Sequence, residues 1–401
     1  MPVVEVGPVA HGGHCVARLD GQVVFVRHAL PGETVRIEVT ESSRTFLRAD
    51  AVEIIEASPH RVVPPCRWAG TCGGCDFQHA TPAHQRELLT AVVAEQLQRL
   101  AGITWEGQVE AVAPDLGWRT RVTWAVDGAG RAGLRRHRSH EVVPVDRCEI
   151  AHPGLPDVHL QEWDDDRVEA IVSSAGHRLL VTDATVEDAL EAATDGVVAV
   201  DGVVRAGSAA LTEVVEHHEF RVTGSGFWQV HPAAAGTLVD AVMAGAAVRP
   251  GDVVADLYAG VGLFTAFLAD AVGPDGLVHS VEADPVAARD ARRNLHDVAQ
   301  VRLHAATTER ALRDGLVGDR ADVVVLDPPR AGAKRVVEAV AALGPRTVVH
   351  VACDPAALAR DLAGFAAAGY RLADLRGFAL FPMTHHVECV ALLIKTGSDL
   401  R

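Results

Sequence analysis

Four cysteines in the N-terminal half of the chain have the spacing of a metal or cluster site. They are separated by five, two and 72 residues: Cys66, Cys72, Cys75 and Cys148. Disulfides are not expected in a cytoplasmic chain, so metal binding is the leading interpretation. Structural zinc sites usually pair two C-x-x-C units, whereas this pattern has one unit and two single thiols, which favours a [4Fe–4S] cluster over zinc. A redox-active C-x-x-C pair is a weaker third interpretation.

Two residues near the C-terminus could carry out covalent and acid–base chemistry. Cys353 ends an apolar run in the segment ACDP, where a thiol either acts as a nucleophile or fills the core. Glu388 stands between apolar residues in FPMTHHVECV, so it lies either at a sheet edge or in a pocket as a base. Spacing does not choose between these alternatives. Cys15 and Cys389 have no partners in the pattern and are predicted to be ordinary buried residues.

A third group of residues has the pattern of a nucleotide-like cofactor site. Asp256, Gly260 and Gly262 lie in DLYAGVGLFTAFLA, where a strand runs into a Gly-rich turn and an apolar helix. Such a turn lets a ligand approach the backbone, but it does not distinguish nicotinamide, flavin and S-adenosylmethionine. The next strand ends at Glu282, whose carboxylate could accept hydrogen bonds from both ribose hydroxyls. The segment DPPR begins at Asp327 after a third buried strand, and its two prolines predict a stiff loop.

Alternating strands and helices must position these residues. From residue 250 onward, the apolar runs DVVADLYAG, LVHSVEAD, ADVVVLDPP and TVVHVACDP alternate with helical stretches. This order predicts an α/β fold with a parallel, doubly wound sheet. Ligands of such sheets bind at the carboxyl ends of the strands, where the candidate residues fall.

The N-terminal half is predicted to begin with a small β-barrel. Short runs rich in Val, Ile and Phe fill residues 3–57 and are broken by glycine-containing turns, a pattern that suggests an oligonucleotide-binding type of barrel. A helix is predicted between Thr81, a suitable N-cap, and Gly102, which ends it. The region from 118 to about 220 is weakly strand-rich.

Composition and charge narrow the function further. No apolar run approaches the roughly 18 residues of a membrane span, and the N-terminus lacks a signal peptide, so we expect a cytoplasmic protein without membrane contact. The net charge of −16 argues against a nucleic-acid partner, but residues 151–200 alone carry 11 acidic and 2 basic side chains. In the rest of the chain the numbers of acidic and basic side chains are nearly equal. Segment 119–138 is rich in arginine, which suits phosphate contact or a solvated face: Arg119, Arg121, Arg131, Arg135, Arg136 and Arg138.

Taken in order, these motifs resemble those of the 5-methyluridine RNA methyltransferases, which include the 23S ribosomal RNA uracil-C5 enzymes and the tRNA T-loop enzyme. DGQVVFVRHALPGETV resembles a TRAM domain, an RNA-binding β-barrel. GTCGGCDFQH and GLRRHRSHEVVPVDRCEI resemble cluster-binding segments. FWQVHP, DLYAGVGLFT, SVEADP, DPPRAG, ACDPAALARD and FPMTHHVE follow in order through the catalytic domain. The resemblance covers nearly the whole chain.

The resemblance implies a class I methyltransferase fold with S-adenosylmethionine and a [4Fe–4S] cluster as cofactors. Cys353 corresponds to the nucleophile and Glu388 to the general base. Residues at cofactor-contacting positions are Gln229, Tyr258, Glu282 and Asp327. The implied cluster ligands are Cys66, Cys72, Cys75 and Cys148. We expect a TRAM-like barrel at 1–58, a central iron–sulfur domain at 59–220 with helix 82–101 packing on the catalytic domain, and a methyltransferase domain at 221–401.

The implied reaction begins with addition of the Cys353 thiolate to C6 of uracil, after which C5 attacks the sulfonium methyl. A base then removes the C5 proton and elimination frees the thiol. The target base must be flipped out of its stack. The chain departs from the family's usual residues at His231, at Leu263, and at Ala352 and Asp354 beside the nucleophile.

The expected partner is RNA, and the chain is expected to be a monomer. A four-cysteine cluster is a feature of the ribosomal enzymes and favours 23S rRNA, although tRNA stays open. A non-catalytic RNA-binding protein on this fold is a competing interpretation, but it would lack Cys353 or Glu388. A DNA cytosine methyltransferase would need a Pro-Cys nucleophile before the later strands and no TRAM-like barrel.

Overall fold

The computed structural model describes residues 1–185, 194–199, 203–224 and 226–397, and its first six strands form one sheet. They are β1 (Val3–Glu5), β2 (Val9–Ala10), β3 (His14–Leu19), β4 (Gln22–Arg27), β5 (Thr34–Ser42) and β6 (Phe46–Glu56). Their spatial order is β1-β5-β6-β4-β3-β2. β1 and β2 are at opposite ends of this order, but they are consecutive in the chain and only a short segment joins them. The sheet must therefore curve until its two edges meet. Between them, Gly7 N–H donates to Val16 C=O of β3. This is the predicted N-terminal barrel.

Local sequence explains the barrel's hairpin and its core. Asp20 and Gly21 have φ of 51° and 84°, the left-handed values that a two-residue hairpin turn requires between β3 and β4. Alternate residues of β4 and β5 point inward and are fully buried: Val24, Val26, Val35 and Ile37. Alternation of buried and exposed side chains is what a curved sheet around one core demands.

The first helix, α1, spans Pro82–Ala101 and begins and ends where its caps predict. The Thr81 hydroxyl accepts a hydrogen bond from His84 N–H at 3.3 Å, and Pro82 occupies the first turn. Gly102 adopts φ of 65° and closes the last turn through backbone hydrogen bonds. The predicted boundaries of this helix are confirmed.

The middle of the chain is strand-rich, as the sequence indicates. One sheet contains β8 (Arg121–Val126), β9 (Ala132–Arg135), β10 (Val142–Val143), β11 (Arg167–Val172), β12 (Arg178–Val181), β13 (Gly196–Val198) and β14 (Val204–Gly207). Its order is β10-β9-β8-β11-β12-β13-β14. A separate hairpin follows, formed by β15 (Ala210–Val215) and β16 (His218–Thr223).

The largest sheet carries the candidate catalytic and cofactor residues. Its strands are β7 (Val109–Ala111), β17 (Val253–Leu257), β18 (Leu277–Glu282), β19 (Val301–Ala305), β20 (Val323–Leu326), β21 (Thr347–Ala352), β22 (Tyr370–Ala379) and β23 (Glu388–Lys395). Their order is β19-β18-β17-β20-β21-β23-β22-β7. The first five are parallel, but β23 pairs antiparallel with both β21 and β22. The sheet is therefore mixed, and the expectation of an all-parallel sheet is wrong, because β22 returns to β23 directly rather than through a crossover helix.

Helices cover both faces of this sheet. They are α2 (Ala234–Ala246), α3 (Leu263–Val272), α4 (Pro285–Asn294), α5 (Thr308–Arg313), α6 (Val337–Ala342) and α7 (Pro355–Ala367). One core includes α1, α6 and α7, and a second includes α2 and α3. Helix α1 packs on α7, and β7 extends the large sheet. Among the described residues, no helix is both long and apolar enough to cross a membrane.

A candidate active site at the carboxyl ends of the strands

Cys353 and Glu388 occupy facing positions on neighbouring strands. Cys353 directly follows β21, and Glu388 is the first residue of β23. In this antiparallel pair Ala352 lies opposite Cys389, so the next position of the ladder brings Cys353 opposite Glu388. Residues directly opposite in a ladder project to the same face of the sheet. The candidate nucleophile and the candidate base are therefore neighbours.

Burial favours the neutral form of both groups. Cys353 is half-buried, and burial together with the negative charge of Glu388 raises the thiol pKa from 9.0 to about 11. Glu388 is only 5% exposed. Burial, followed by the charge of Asp327, raises the pKa of the Glu388 carboxyl well above its ordinary 4.5. The Arg330 guanidinium opposes both shifts, so it is the cation that favours a thiolate and a carboxylate here.

Two further carboxyls lie at the ends of β17 and β20. Asp256 is fully buried, and one of its oxygens accepts a hydrogen bond from the Thr265 hydroxyl at 2.5 Å. Its other oxygen is buried and has no hydrogen-bond partner within the described part of the chain. Burial, with the charge of Glu282, raises the pKa of Asp256 to about 7, and burial with the charge of Asp256 raises that of Asp327 to about 7. A buried acceptor of this kind is suited to a ligand's donor.

The Gly-rich turn between β17 and α3 is held by Glu282 at the end of β18. Gly260 N–H and Asp284 N–H donate to its two carboxylate oxygens at 2.8 and 2.6 Å. Gly262 has φ of +94°, and a Cβ there would lie 2.7 Å from the Leu295 side chain, so glycine is required. Nothing lies within 4 Å of the Cβ position of Gly260. The turn therefore presents open backbone to a ligand at the start of a helix.

The other two predicted cofactor residues border the same turn. Tyr258 follows β17 with φ of 66°, and its hydroxyl is hydrogen-bonded to Thr308 at the start of α5. Gln229 is half-buried in the segment that leads to α2, and its neighbour Trp228 packs with Val261 of the turn. The fold thus brings Tyr258, Glu282 and Asp327 to the carboxyl ends of three neighbouring strands, and Gln229 follows a residue that packs on the Gly-rich turn.

The loop at residues 380–387, which leads into Glu388 and is called the base loop below, is held by a residue that the motifs did not identify. Asp76 N–H donates to Met383 C=O at 2.8 Å. The Asp76 carboxylate accepts a hydrogen bond from His385 N–H at 3.0 Å and lies 2.7 Å from His385 Nδ1. The sequence offered only an acidic residue next to the C-x-x-C unit as a signal, and its partner is far away in the chain.

The four cysteines predicted as ligands line one cavity of about 340 Å³: Cys66, Cys72, Cys75 and Cys148. All are free thiols, and no three of their sulfurs lie within 4.8 Å of one another. Burial raises the pKa of Cys72 and Cys148, and it raises that of Cys75 to about 12; neighbouring thiols act in the same direction. A bound cation would reverse these shifts because it stabilises thiolates.

The arginine-rich segment has more than one role. Arg121 is partly buried and donates to the carbonyls of Gly224 and Gly226, so it holds the chain together and is not free for phosphate. Three others are in surface ion pairs: Arg131 with Asp127, Arg136 with Glu141 and Arg138 with Glu41. Phosphate contact by the remaining arginines stays a prediction.

The mixed sheet, in which antiparallel β23 lies between β21 and β22, together with the Gly-rich turn after β17, has the arrangement of a class I methyltransferase fold. A solved structure has this fold over almost the whole chain: the Pyrococcus abyssi tRNA (uracil-54, C5)-methyltransferase in complex with S-adenosyl-L-homocysteine. The TM-score is 0.74 at 22% identity, and the match covers 97% of this chain and 99% of that chain.

Sequence comparisons identify the particular family. Residues 3–52 match the TRAM domain, and residues 213–396 match the family described as tRNA (uracil-5-)-methyltransferase. An RNA methyltransferase of Streptomyces avermitilis is 49% identical over 99% of both chains, and one of Bifidobacterium longum is 39% identical over 98% of this chain and 96% of its own. The chain belongs to the RNA (uracil-5-)methyltransferase family and is an enzyme. The expected family and TRAM domain are confirmed.

Proposed function

We propose that this enzyme methylates C5 of a uridine in RNA, with S-adenosylmethionine as the methyl donor, through a bond between Cys353 and C6. The observation that carries the proposal is the position of the Cys353 thiol opposite the buried Glu388 carboxyl. Methylation at C5 needs a nucleophile for one ring carbon and a base for the proton on the adjacent carbon. Two such side chains on adjacent strands meet that requirement.

The reaction consists of addition of a thiolate to the uracil ring, methyl transfer and elimination of the thiolate. The Cys353 thiol releases its proton to solvent and its sulfur bonds to C6, and the C5–C6 electron pair moves toward the O4 carbonyl as an enolate. C5 then takes the methyl group as the bond from that methyl to the sulfonium sulfur breaks, which leaves neutral S-adenosylhomocysteine. The Glu388 carboxylate accepts the C5 proton, and the electron pair of the C–H bond forms the C5–C6 double bond. The C6–S bond breaks and regenerates the thiolate. Arg330 assists because its charge favours the ionised form of both groups.

The residues around the Gly-rich turn fit S-adenosylmethionine, which supplies a methyl group on a positively charged sulfur when bound. We assign Gln229, Tyr258, Glu282 and Asp327 to this site. Glu282 accepts one backbone N–H at each oxygen, which leaves a lone pair on each for ribose hydroxyls. The unpartnered oxygen of Asp256 offers a further buried acceptor for the donor molecule.

The spacing of the four sulfurs supports an iron–sulfur cluster over a zinc ion. Four thiolates around one zinc ion lie about 3.8 Å apart, since each Zn–S bond is about 2.3 Å. No three of the four sulfurs here lie within 4.8 Å of one another, so they do not have the spacing that one zinc ion imposes. We therefore assign Cys66, Cys72, Cys75 and Cys148 as ligands of a [4Fe–4S] cluster, with zinc as the alternative.

Metal analysis separates these two assignments. Protein purified without oxygen should be brown and contain about four iron and four sulfide per chain. Serine at all four cysteine positions should remove both the colour and the iron. One zinc per chain without sulfide would establish the alternative.

For the RNA substrate, we favour 23S rRNA because the four-cysteine segment resembles that of the ribosomal enzymes. The tRNA T-loop is the second candidate, and the matched family and the Pyrococcus abyssi relative carry tRNA in their descriptions. We propose that a monomer binds this RNA, with a TRAM domain at 1–58 in contact with its backbone, a central domain at 59–220 and a methyltransferase domain at 221–401. Within the central range, β7 pairs with the catalytic sheet and α1 packs on α7, so these two elements belong structurally to the methyltransferase domain.

Two experiments test the function. Purified wild-type protein and the Cys353→Ala variant are incubated with S-adenosylmethionine and unmodified transcripts of tRNA or 23S rRNA fragments. Digested nucleosides are then analysed by mass spectrometry. We expect 5-methyluridine only with the wild type, and its absence from every RNA would refute the proposal. Mapping 5-methyluridine in both RNAs from a strain without this protein identifies the substrate, because only the true target loses its methyl group.

A further inference from the structure

One loop of the barrel reaches the nucleophile. Residues 11–13, called the barrel loop here, join β2 to β3. His11 Nε2 lies 3.0 Å from a carboxylate oxygen of Asp354, the residue directly after Cys353. Both side chains are more than half buried, with exposed fractions of 38% and 24%. The N-terminal barrel is therefore in direct contact with the turn that carries the nucleophile.

Asp354 links that contact to the geometry of the turn. Its other carboxylate oxygen accepts a hydrogen bond from Ala357 N–H at 2.7 Å and caps the N-terminus of α7. The cap defines where β21 ends and α7 begins, and Cys353 lies at that junction. His11, which holds the Asp354 carboxylate from the barrel, therefore limits the motion of Cys353.

The same barrel loop also touches the base loop. Gly13 has φ of +79°, and a Cβ added there would lie 2.7 Å from the Cβ of His385 and 3.1 Å from that of Asp76. His385 precedes Glu388 by three residues and is held by the Asp76 carboxylate. Gly13 is thus required by its backbone conformation and by the space left between the barrel and the base loop.

We propose that the barrel loop is a positioning element that joins the nucleophile turn to the base loop and so sets how Cys353 and Glu388 are placed relative to each other. His11 acts through Asp354, and Gly13 acts through His385. In this arrangement the N-terminal domain contributes to the chemical step and not only to holding RNA. The catalytic part of this inference rests on the proposed function, whereas the contacts themselves do not.

The first test removes the His11 contact. His11→Ala should lower the single-turnover rate of uridine methylation on a saturating tRNA or 23S transcript by about tenfold to a hundredfold, the size expected when reacting groups shift by a fraction of an ångström. Affinity for S-adenosylmethionine should not change. His11→Gln should restore most of the rate, because its amide N–H can donate to Asp354. Gln22→Ala is the control, since it removes a barrel hydrogen bond to Ser43 C=O away from this loop.

The second test uses two glycines with the same backbone strain. Gly13 and Gly32 have φ of +79° and +83°, but nothing lies within 4 Å of the Cβ position of Gly32. Alanine at either position carries the same conformational cost, and only Gly13→Ala collides with the base loop. We expect Gly13→Ala to slow methylation as His11→Ala does, and Gly32→Ala to leave the rate close to that of the wild type.

Amide hydrogen exchange in the absence of RNA supplies a readout that does not depend on the reaction. His11→Ala should accelerate exchange at the start of α7, and Gly13→Ala should do so in the base loop, while both controls keep wild-type exchange. Unchanged exchange in both variants, or equal effects in their controls, would overturn the inference. If the wild type makes no 5-methyluridine, the proposed function fails. Hydrogen exchange still decides whether the barrel loop holds the nucleophile turn and the base loop.

Discussion

Alkylation of Cys353 in the substrate-free protein should require a pH far above that of an ordinary thiol. Burial and the charge of Glu388 raise the pKa of Cys353 to about 11 from 9.0. A difference of two units lowers the thiolate fraction about 100-fold at any pH below both values, and only the thiolate reacts. The rate of alkylation by iodoacetamide should therefore rise tenfold per pH unit and reach half its maximum near pH 11.

Charge substitutions around Cys353 should move this midpoint in opposite directions. The negative charge of Glu388 is one cause of the raised Cys353 pKa, because it opposes a second negative charge nearby. Glu388→Gln should therefore lower the midpoint. Arg330→Gln removes the cation that lowers the pKa of Cys353, so it should raise the midpoint.

The rate is measured at each pH by mass spectrometry of the peptide that contains Cys353. Cys389 lies on the adjacent strand β23, in a different peptide, and is an internal control. Complete burial raises the pKa of this thiol even further and should keep it unreactive. A midpoint at or below pH 9, or a shift of the wrong sign in Arg330→Gln, would refute the description of this site as a buried pocket with one favourable cation.

Three other outcomes are expected. Cys353→Ala should abolish methylation yet bind S-adenosylmethionine nearly as the wild type does, as measured by calorimetry. Glu388→Gln should form the Cys353–RNA bond and transfer the methyl group but fail to release product, because an amide accepts a proton poorly; a denaturing gel should show the trapped complex. Glu33→Gln should destabilise the protein by about 3–5 kcal/mol at pH 7, because it leaves Arg61 without its buried partner, whereas Glu53→Gln in an exposed pair should cost no more than about 1 kcal/mol. Burial raises the pKa of Glu33, but hydrogen bonds from Arg61 and two backbone N–H groups outweigh it and leave the pKa below 4.5. The pair's stabilisation is thus present above that pH and lost as pH falls through the lowered value, which thermal unfolding across pH can follow.

For each of these three predictions, one result would contradict it. Methylation at more than a few per cent of the wild-type rate in Cys353→Ala would exclude Cys353 as the nucleophile. Slow turnover in Glu388→Gln without a trapped complex would mean that Glu388 only shapes the pocket. Equal destabilisation by Glu33→Gln and Glu53→Gln would show that burial of the first pair contributes nothing.

Local features of this fold could be predicted because neighbouring residues decide them. Thr81, Pro82 and Gly102 bound a helix through capping and positive φ, and these effects act within one turn. The Gly-rich turn before α3 is a comparable case, since the φ of +94° at Gly262 strains any residue with a side chain. Motif order was equally informative about the family, because several independent segments had to agree.

Contacts between residues distant in sequence were harder to predict. Apolar runs look alike whether a strand is parallel or antiparallel, so the reversed direction of β23 was missed, although it is this direction that places Glu388 opposite Cys353. Arg121 was grouped with surface arginines, yet its guanidinium is satisfied by two carbonyls about 100 residues away. No periodicity encodes such a partner.

Residue types and their spacing determined which groups are available: a thiol, a carboxyl, a Gly-rich turn and four further cysteines. Folding determined their environment. The raised pKa values of Cys353 and Glu388 arise from burial and from charges brought together by separate strands. The contacts of His11 with Asp354 and of Asp76 with His385 join parts of the chain more than 300 residues apart. Desolvation and through-space charge depend on distances in three dimensions, and residues remote in sequence acquire those distances only when the barrel and the sheets have packed together.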